Sequence, residues 1–87
     1  MGYTLTILPA AMRDMEDLPR RERERITARI DLLLRQPRPP GCVKLAGWRH
    51  RYRVRVGRCR VVYEVCDDAL LVVVQMVDHR KSIYDRL

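Results

Sequence analysis

Between Asp31 and Glu64 the sequence contains no aspartate or glutamate. It also lacks a CxxC pair, an internal repeat, a low-complexity tract and a long apolar run. Each absence narrows the possibilities. Three cysteines, Cys42, Cys59 and Cys66, leave an odd thiol under any pairing, so a disulfide framework is not favoured. Without paired cysteines zinc is not favoured either, and neither a metal nor a cofactor is expected. Small apolar thiols in a reducing cytoplasm fit best. The longest apolar stretch, Ala69–Val74, is far too short to span a bilayer, so no membrane association is expected. The N-terminus has no basic leading region, and Pro9 interrupts its apolar residues, which argues against a signal peptide. Met1-Gly2-Tyr3-Thr4-Leu5-Thr6 meets the myristoylation pattern. That pattern is short, and a first strand is the better use of those residues.

What is present describes one small globular domain over residues 1–87. A chain of this size buries roughly 60% of its unfolded surface, which leaves stability marginal and gives a partner something to add. Apolar residues make up 47% and charged residues 33%, a balance that folds rather than staying disordered. Lys and Arg number 18 against 11 acids, a formal charge of +7. Such an excess points to a polyanionic partner, because each basic contact to a phosphate releases condensed counterions. The excess is also focused. Within the acid-free stretch lie Arg35, Arg38, Lys44, Arg49, Arg51, Arg53, Arg55, Arg58 and Arg60.

Tyr3, Leu5 and Ile7 alternate with Thr4 and Thr6, the period of a half-buried strand that Pro9 ends. Ala10–Leu18 places Ala11, Met15 and Leu18 at helical spacing. Pro19 suits the first turn of a second helix running to about Gln36, with Ile26, Ile30, Leu33 and Leu34 as its apolar stripe. Glu22 with Arg25, and Asp31 with Arg35, have the spacing of weak intrahelical pairs. Pro37-Arg38-Pro39-Pro40-Gly41 stops that helix. Three strands follow: Arg51–Val56, a Gly57-Arg58 turn, Cys59–Cys66, an Asp67-Asp68 turn, and Leu70–Val77. The near-continuous apolar run of the last suggests a central strand covered on both faces. The order β-α-α-β-β-β reads as an α+β fold, a meander with two helices packed on one face. Asp78–Leu87 turns polar, as a tail or a short helix.

The arginine alternation is the leading functional feature. Residues two apart on a strand point the same way, so Arg51, Arg53 and Arg55 line one face, joined by Arg49 if the strand reaches back that far. Arg60 comes near Arg55 across the turn. Guanidinium groups in a row repel one another unless anions lie between them, which suits a surface for RNA or DNA phosphates. The second feature is Val77-Asp78-His79-Arg80-Lys81-Ser82-Ile83-Tyr84, which leaves the end of the sheet directly. Imidazole is the side chain whose ordinary pKa lies near neutrality, suited to proton transfer. A tyrosine there can stack on a base or donate to a phosphate.

Taken together, Tyr52-Arg53-Val54-Arg55, Arg60-Val61-Val62-Tyr63-Glu64-Val65 and Val77-Asp78-His79-Arg80-Lys81-Ser82-Ile83-Tyr84 resemble the RelE branch of the RelE/ParE toxin superfamily. The likeness extends to the opening strand, Arg13-Asp14-Met15, Leu18-Pro19 and Lys44-Leu45-Ala46-Gly47. It implies a RelE-like fold with the first strand parallel to the last. It also implies a cognate antitoxin that wraps the toxin, and metal-independent endoribonuclease cleavage of mRNA in the ribosomal A site. By the same resemblance Arg53 and Arg55 hold basic strand positions and Arg60 steadies the scissile phosphate. Arg80 is the basic residue after the last strand, Tyr84 the stacking tyrosine, and His79 a position sometimes occupied by histidine. Lys44, Arg49, Arg51, Arg58 and Lys81 extend the RNA-binding surface. The expected reaction is attack by an RNA 2′-hydroxyl on the adjacent phosphate, leaving a 5′-hydroxyl. Arginines stabilise the phosphorane charge but stay protonated, so proton transfer falls to His79, His50, Tyr84 or Lys44. The chain departs from the family in having arginines for lysines, no glutamate base in this stretch, and Cys59 where an aromatic is common. A ParE-like toxin that inhibits DNA gyrase is the alternative. A nucleic-acid-binding module without toxicity is a third, although no helix-turn-helix signal stands out.

Overall fold

The computed structural model describes residues 2–79, and the expectations for Arg80, Lys81, Tyr84 and the remaining tail fall outside the described residues. The elements are β1 (Thr4–Ile7), α1 (Pro9–Glu16), α2 (Arg20–Leu33), β2 (Val43–Lys44), β3 (Arg51–Val56), β4 (Cys59–Cys66) and β5 (Leu71–Asp78). No helix among the described residues is long and apolar enough to cross a membrane.

Both helices begin at prolines, where a missing N–H costs nothing. Pro9 opens α1, and Pro19 is the capping residue of α2. Ala11 and Met15 on α1, with Ile26, Ile30 and Leu33 on α2, are the positions that helical spacing aligns and the ones that are buried. α2 ends at Leu33, short of the Gln36 expected. Pro37 disfavours helical geometry just before it, and the last amides of Arg35 and Gln36 both turn back to the Leu32 carbonyl. The helix-surface pair that forms is Arg20–Glu24 at 2.9 Å, while Glu22 turns instead to Arg58.

One five-stranded sheet has the order β1-β5-β4-β3-β2. β3, β4 and β5 form the expected antiparallel meander, and β1 pairs parallel with β5 from Thr4↔Leu71 to Ile7↔Val74. A parallel neighbour requires a crossover, and α1 and α2 supply it on a single face of the sheet. β2 was not anticipated. Its two residues pair with Arg53 and Tyr52, too short a run to show any alternation.

The helix-side core contains Tyr52 and Val54 of β3, Cys59, Val61, Tyr63 and Val65 of β4, and Val72, Val74 and Val77 of β5. The spacing in β5 breaks step between Val74 and Val77. The register shifts there, with Val62 opposite Met76 but Tyr63 opposite Val74, so Gln75 is the extra residue of a β-bulge. Two residues separate Val74 from Val77, and Met76 faces away from the helices to meet Val62 and Leu45. This corrects the expectation of a strand covered on both sides. β5 lies second from the sheet edge, and Leu71, Val73 and Gln75 are only half-buried. Its continuous apolar run reflects the bulge as much as burial. Leu70, expected to start the strand, instead has a positive φ of 50° in the preceding turn.

A side-chain clasp fixes the proline-rich connection. The Tyr63 hydroxyl donates to the Pro37 carbonyl at 2.7 Å. Arg38 lies over the Tyr52 ring, donates to its hydroxyl at 2.9 Å, and reaches both carboxylate oxygens of Asp67 at 2.8 and 3.2 Å. Tyr3 also donates to Asp67, at 2.7 Å. The guanidinium first and the Tyr3 hydroxyl second hold the Asp67 carboxyl below its usual range. These contacts join the start of β1, the α2–β2 connection and the β4–β5 turn.

Candidate nucleic-acid interface

With both helices on one side, the opposite face of the sheet is where the arginine alternation comes out. Tyr52, Val54 and Val56 turn towards the helices, so Arg51, Arg53 and Arg55 share the open face. On β4, Arg60, Val62 and Glu64 lie on that same face, each directly opposite an arginine: Arg55↔Arg60, Arg53↔Val62 and Arg51↔Glu64. β5 continues the rows with Asp78 opposite Arg60, Met76 opposite Val62 and Val73 opposite Glu64.

Three bands of different chemistry result. At one end Arg55, Arg60 and Asp78 lie side by side on adjacent strands. In the middle, buried Val62 and Met76 form a small apolar cluster with Leu45 packed against it. At the far end Arg51 pairs across the strands with Glu64, and its guanidinium carbon sits 3.9 Å from the centre of the Trp48 ring. The Nε groups of Arg51 and Arg53 are buried without an acceptor among the described residues. Buried donors are normally satisfied, so this face holds unused hydrogen-bonding capacity.

The face is therefore less uniform than sequence alone suggested. No carboxylate lies between Asp31 and Glu64 in the chain, yet strand pairing brings Glu64 and Asp78 to the arginines from neighbouring strands. Asp78 is the residue of most consequence that sequence reasoning passed over. It borders Arg60 on one side, and its Oδ1 is 3.8 Å from Nδ1 of His79 on the other. The single signal for it was its place immediately before His79 at the end of the last strand.

Other expected members separate from the face. The strand starts at Arg51, so Arg49 is an exposed loop residue and not part of the row. Lys44 is paired with Tyr52, which puts it on the helix side of the edge strand. Arg58 occupies the β3–β4 turn and reaches Glu22 of α2 at 3.2 Å, again on the helix side. His50 accepts a backbone hydrogen bond from Val65, at the end of the sheet away from Arg60. Of the four proton-transfer candidates, His79 is the described one that adjoins Asp78, the neighbour of Arg60 on β5, and it lines a depression with Asp14, Asp17 and Leu18. The three cysteines are free, and burial pushes the Cys59 thiol up, so it acts as a small core residue.

A second surface lies on the helices. Leu8, Met12 and Leu32 are large apolar side chains left exposed there, Leu32 by 52%. Next to Leu32 a shallow depression of about 370 Å³, lined by Arg25, Ala28, Arg29, Arg55, Val56 and Gly57, leads from α2 to the edge of the arginine face.

The arrangement has clear relatives. The RelE1 protein of Methanocaldococcus jannaschii is 28% identical over 87 aligned residues, which cover 97% of each chain. A mutant of the E. coli toxin RelE in the free state is similar with a TM-score of 0.83 and 26% identity, covering 98% of this chain and 93% of that one. The toxin–antitoxin complex RelBE2 of Mycobacterium tuberculosis contains a chain similar with a TM-score of 0.80 and 28% identity, covering 92% of this chain and all of that one. Residues 5–84 match the model of the ParE toxin of type II toxin–antitoxin systems. Fold, sheet topology and a match along nearly the whole sequence agree, and the chain belongs to the ParE toxin family of type II toxin–antitoxin systems, within the RelE/ParE superfamily.

Proposed function

We propose that this chain is a ribosome-dependent mRNA endoribonuclease held in check by a cognate antitoxin. The observation that carries this reading is the direct cross-strand adjacency of Arg55, Arg60 and Asp78 on the sheet face opposite the helices, with His79 next to Asp78. Arg60 and Arg55 suit a scissile phosphate. As an RNA 2′-oxygen bonds to phosphorus, negative charge builds on the phosphoryl oxygens, and fixed guanidinium donors stabilise it. The 2′-hydroxyl loses its proton and the 5′-oxygen leaves with one. His79 is the group suited to move them, with Asp78 steadying its imidazolium form. Arg80 and Tyr84 follow directly in the chain and complete the expected set, with Lys81 beside them as a phosphate contact. Arg53 and Arg51 extend the phosphate track along β3. The ribosomal A site would present the mRNA in the in-line geometry that a flat, open face cannot impose by itself.

Exposed Leu8, Met12 and Leu32 support an antitoxin segment lying over the helices. An acidic amphipathic peptide following the depression from Leu32 to Arg55 would cover apolar surface and neutralise the end of the arginine face together. Inhibition follows from masking the site or displacing Tyr84.

Inducing the chain in cells and mapping 5′-hydroxyl mRNA ends against the reading frame tests the proposal. Cleavage in register with codons is expected, lost in Arg60→Ala while the purified variant keeps its melting temperature. Full toxicity with intact mRNA would overturn it. The family description favours one second reading, a ParE-like toxin acting on DNA gyrase. Gyrase-linked DNA breaks without mRNA cleavage on induction would establish that alternative.

A further inference from the structure

Trp48 is the chain's only tryptophan, and it stands in the loop between β2 and β3 with 40% of its surface open to solvent. Exposing an indole wastes a large apolar area that a small domain could use in its core. Here the ring is also held in place. The Arg51 guanidinium carbon lies 3.9 Å from the ring centre, close enough that the cation must sit over the ring face. Arg51 itself is anchored as the first residue of β3 opposite Glu64, and its Nε is buried. The indole is thus positioned at the end of the arginine face remote from Arg60.

We propose that Trp48, backed by Arg51, is a nucleobase-stacking platform for single-stranded RNA, a subsite distinct from the reacting centre. This rests on the RNA-cleaving reading above and adds a base contact to it. Arg51, Arg53 and Arg55 repeat about every 7 Å along β3 and follow a phosphate backbone, but phosphates alone leave the bases unheld. Every base has a π-face, so one aromatic ring beside a cationic track fixes where along the strand the protein grips without demanding a sequence. Arg51 to Arg55 spans about 14 Å, which places the stacked base away from the scissile phosphate. Trp48 therefore contributes to binding and register and not to the chemical step.

Because there is a single tryptophan, its emission reports this site alone. The probe is a labelled, fully 2′-O-methylated oligoribonucleotide, which has no 2′-hydroxyl to attack and so stays intact, compared with an abasic strand of equal charge. Binding is followed by anisotropy of the label and, separately, by tryptophan emission and its accessibility to acrylamide. The base-bearing strand is expected to quench Trp48 saturably and shield it, whereas the abasic strand binds without doing so. Trp48→Ala is expected to weaken binding of the base-bearing strand by about 5- to 100-fold and leave the abasic strand unaffected, with Trp48→Phe restoring most of the loss. Equal melting temperatures of the variants establish that the fold is intact. Binding with unaltered emission and no effect of Trp48→Ala overturns the platform and leaves the RNA reading standing. Emission that responds to an acidic peptide but not to RNA assigns the ring to a protein contact and overturns it too. No binding of either strand overturns both readings.

Discussion

Arg60 on β4 and Asp78 on β5 face each other directly across the sheet, and Arg55 lies on the other side of Arg60. A carboxylate next to the arginine best placed for a phosphate has two opposing effects. On the proposed function it repels the incoming anion and orients His79, whose Nδ1 is 3.8 Å from the Asp78 carboxylate. Asp78→Asn separates the two. Removing a like charge is expected to tighten binding of a non-cleavable RNA by about threefold, the size of a partly screened charge contact. Cleavage by the ribosome-bound toxin is expected to slow by about tenfold or more, at the low end of a proton-transfer contribution. The opposed signs are the diagnostic. A variant that loses binding and cleavage together would mark Asp78 as merely structural.

The arginine row carries a prediction about salt. Single-stranded RNA releases roughly 0.7 counterion per phosphate neutralised, so log affinity falls linearly with log salt. Arg55 is exposed on the open face beside Arg60, whereas Arg58 is tied to Glu22 on the helix side. Arg55→Ala is therefore expected to make the slope shallower by about 0.7. Arg58→Ala is expected to leave it unchanged. Titrations of one oligonucleotide at several salt concentrations decide the matter, and equal slopes for both variants would place the phosphate track elsewhere.

Much of this could be read before any coordinates, because two periods dominate the chain. Alternation over Arg51–Val56 assigned three arginines to one face and Tyr52, Val54 and Val56 to the other, and both assignments hold. The i, i+4, i+7 spacing of Ile26, Ile30 and Leu33 likewise identified the buried side of α2. What could not be read is what depends on pairing between strands. Nothing local to Glu64 or Asp78 says that one will oppose Arg51 and the other Arg60, since register arises from turns and core packing. A bulge inside Leu71–Asp78 is invisible when nearly every residue is apolar, because alternation is the signal it would break. The two residues of β2 are too few for any period, so the pairing that sets Lys44 on the helix side with Tyr52 could not be read.

Acid stability follows from the clasp around Asp67. Arg38 and Tyr3 favour its ionised form, so its folded pKa lies below the ordinary 3.8. A depressed carboxylate contributes stability above its unfolded pKa and loses that contribution as pH falls through the folded value. Asp67→Asn is expected to lower the melting temperature at neutral pH and to flatten the decline that the parent shows below about pH 4. Thermal melts of both proteins from pH 7 to pH 2 test the sign. Parallel curves would show that the clasp holds through its neutral hydrogen bonds alone.

The bulge at Gln75 makes a structural prediction with two halves. Deleting Gln75 would remove the bulge and make Val74 and Met76 consecutive opposite Tyr63 and Val62, so the residues after it keep their faces. Val77 would stay in the helix-side core, Met76 beside Val62, and Asp78 opposite Arg60. What is lost is the local bend and extra twist that the bulge gives the end of β5, so the deletion is expected to fold cooperatively with stability lowered by about 1 to 3 kcal/mol. Substitution has the opposite sign. The Gln75 Oε1 is buried without a partner among the described residues, and Gln75→Met keeps the bulge while removing that unsatisfied acceptor. The substitution is expected to raise stability by about 1 kcal/mol with the open face unaltered. Chemical denaturation of the two variants checks both halves. A deletion variant that fails to fold would show that the end of β5 depends on the bend of the bulge itself, and not only on the alternation that keeps Val77 in the core and Asp78 beside Arg60.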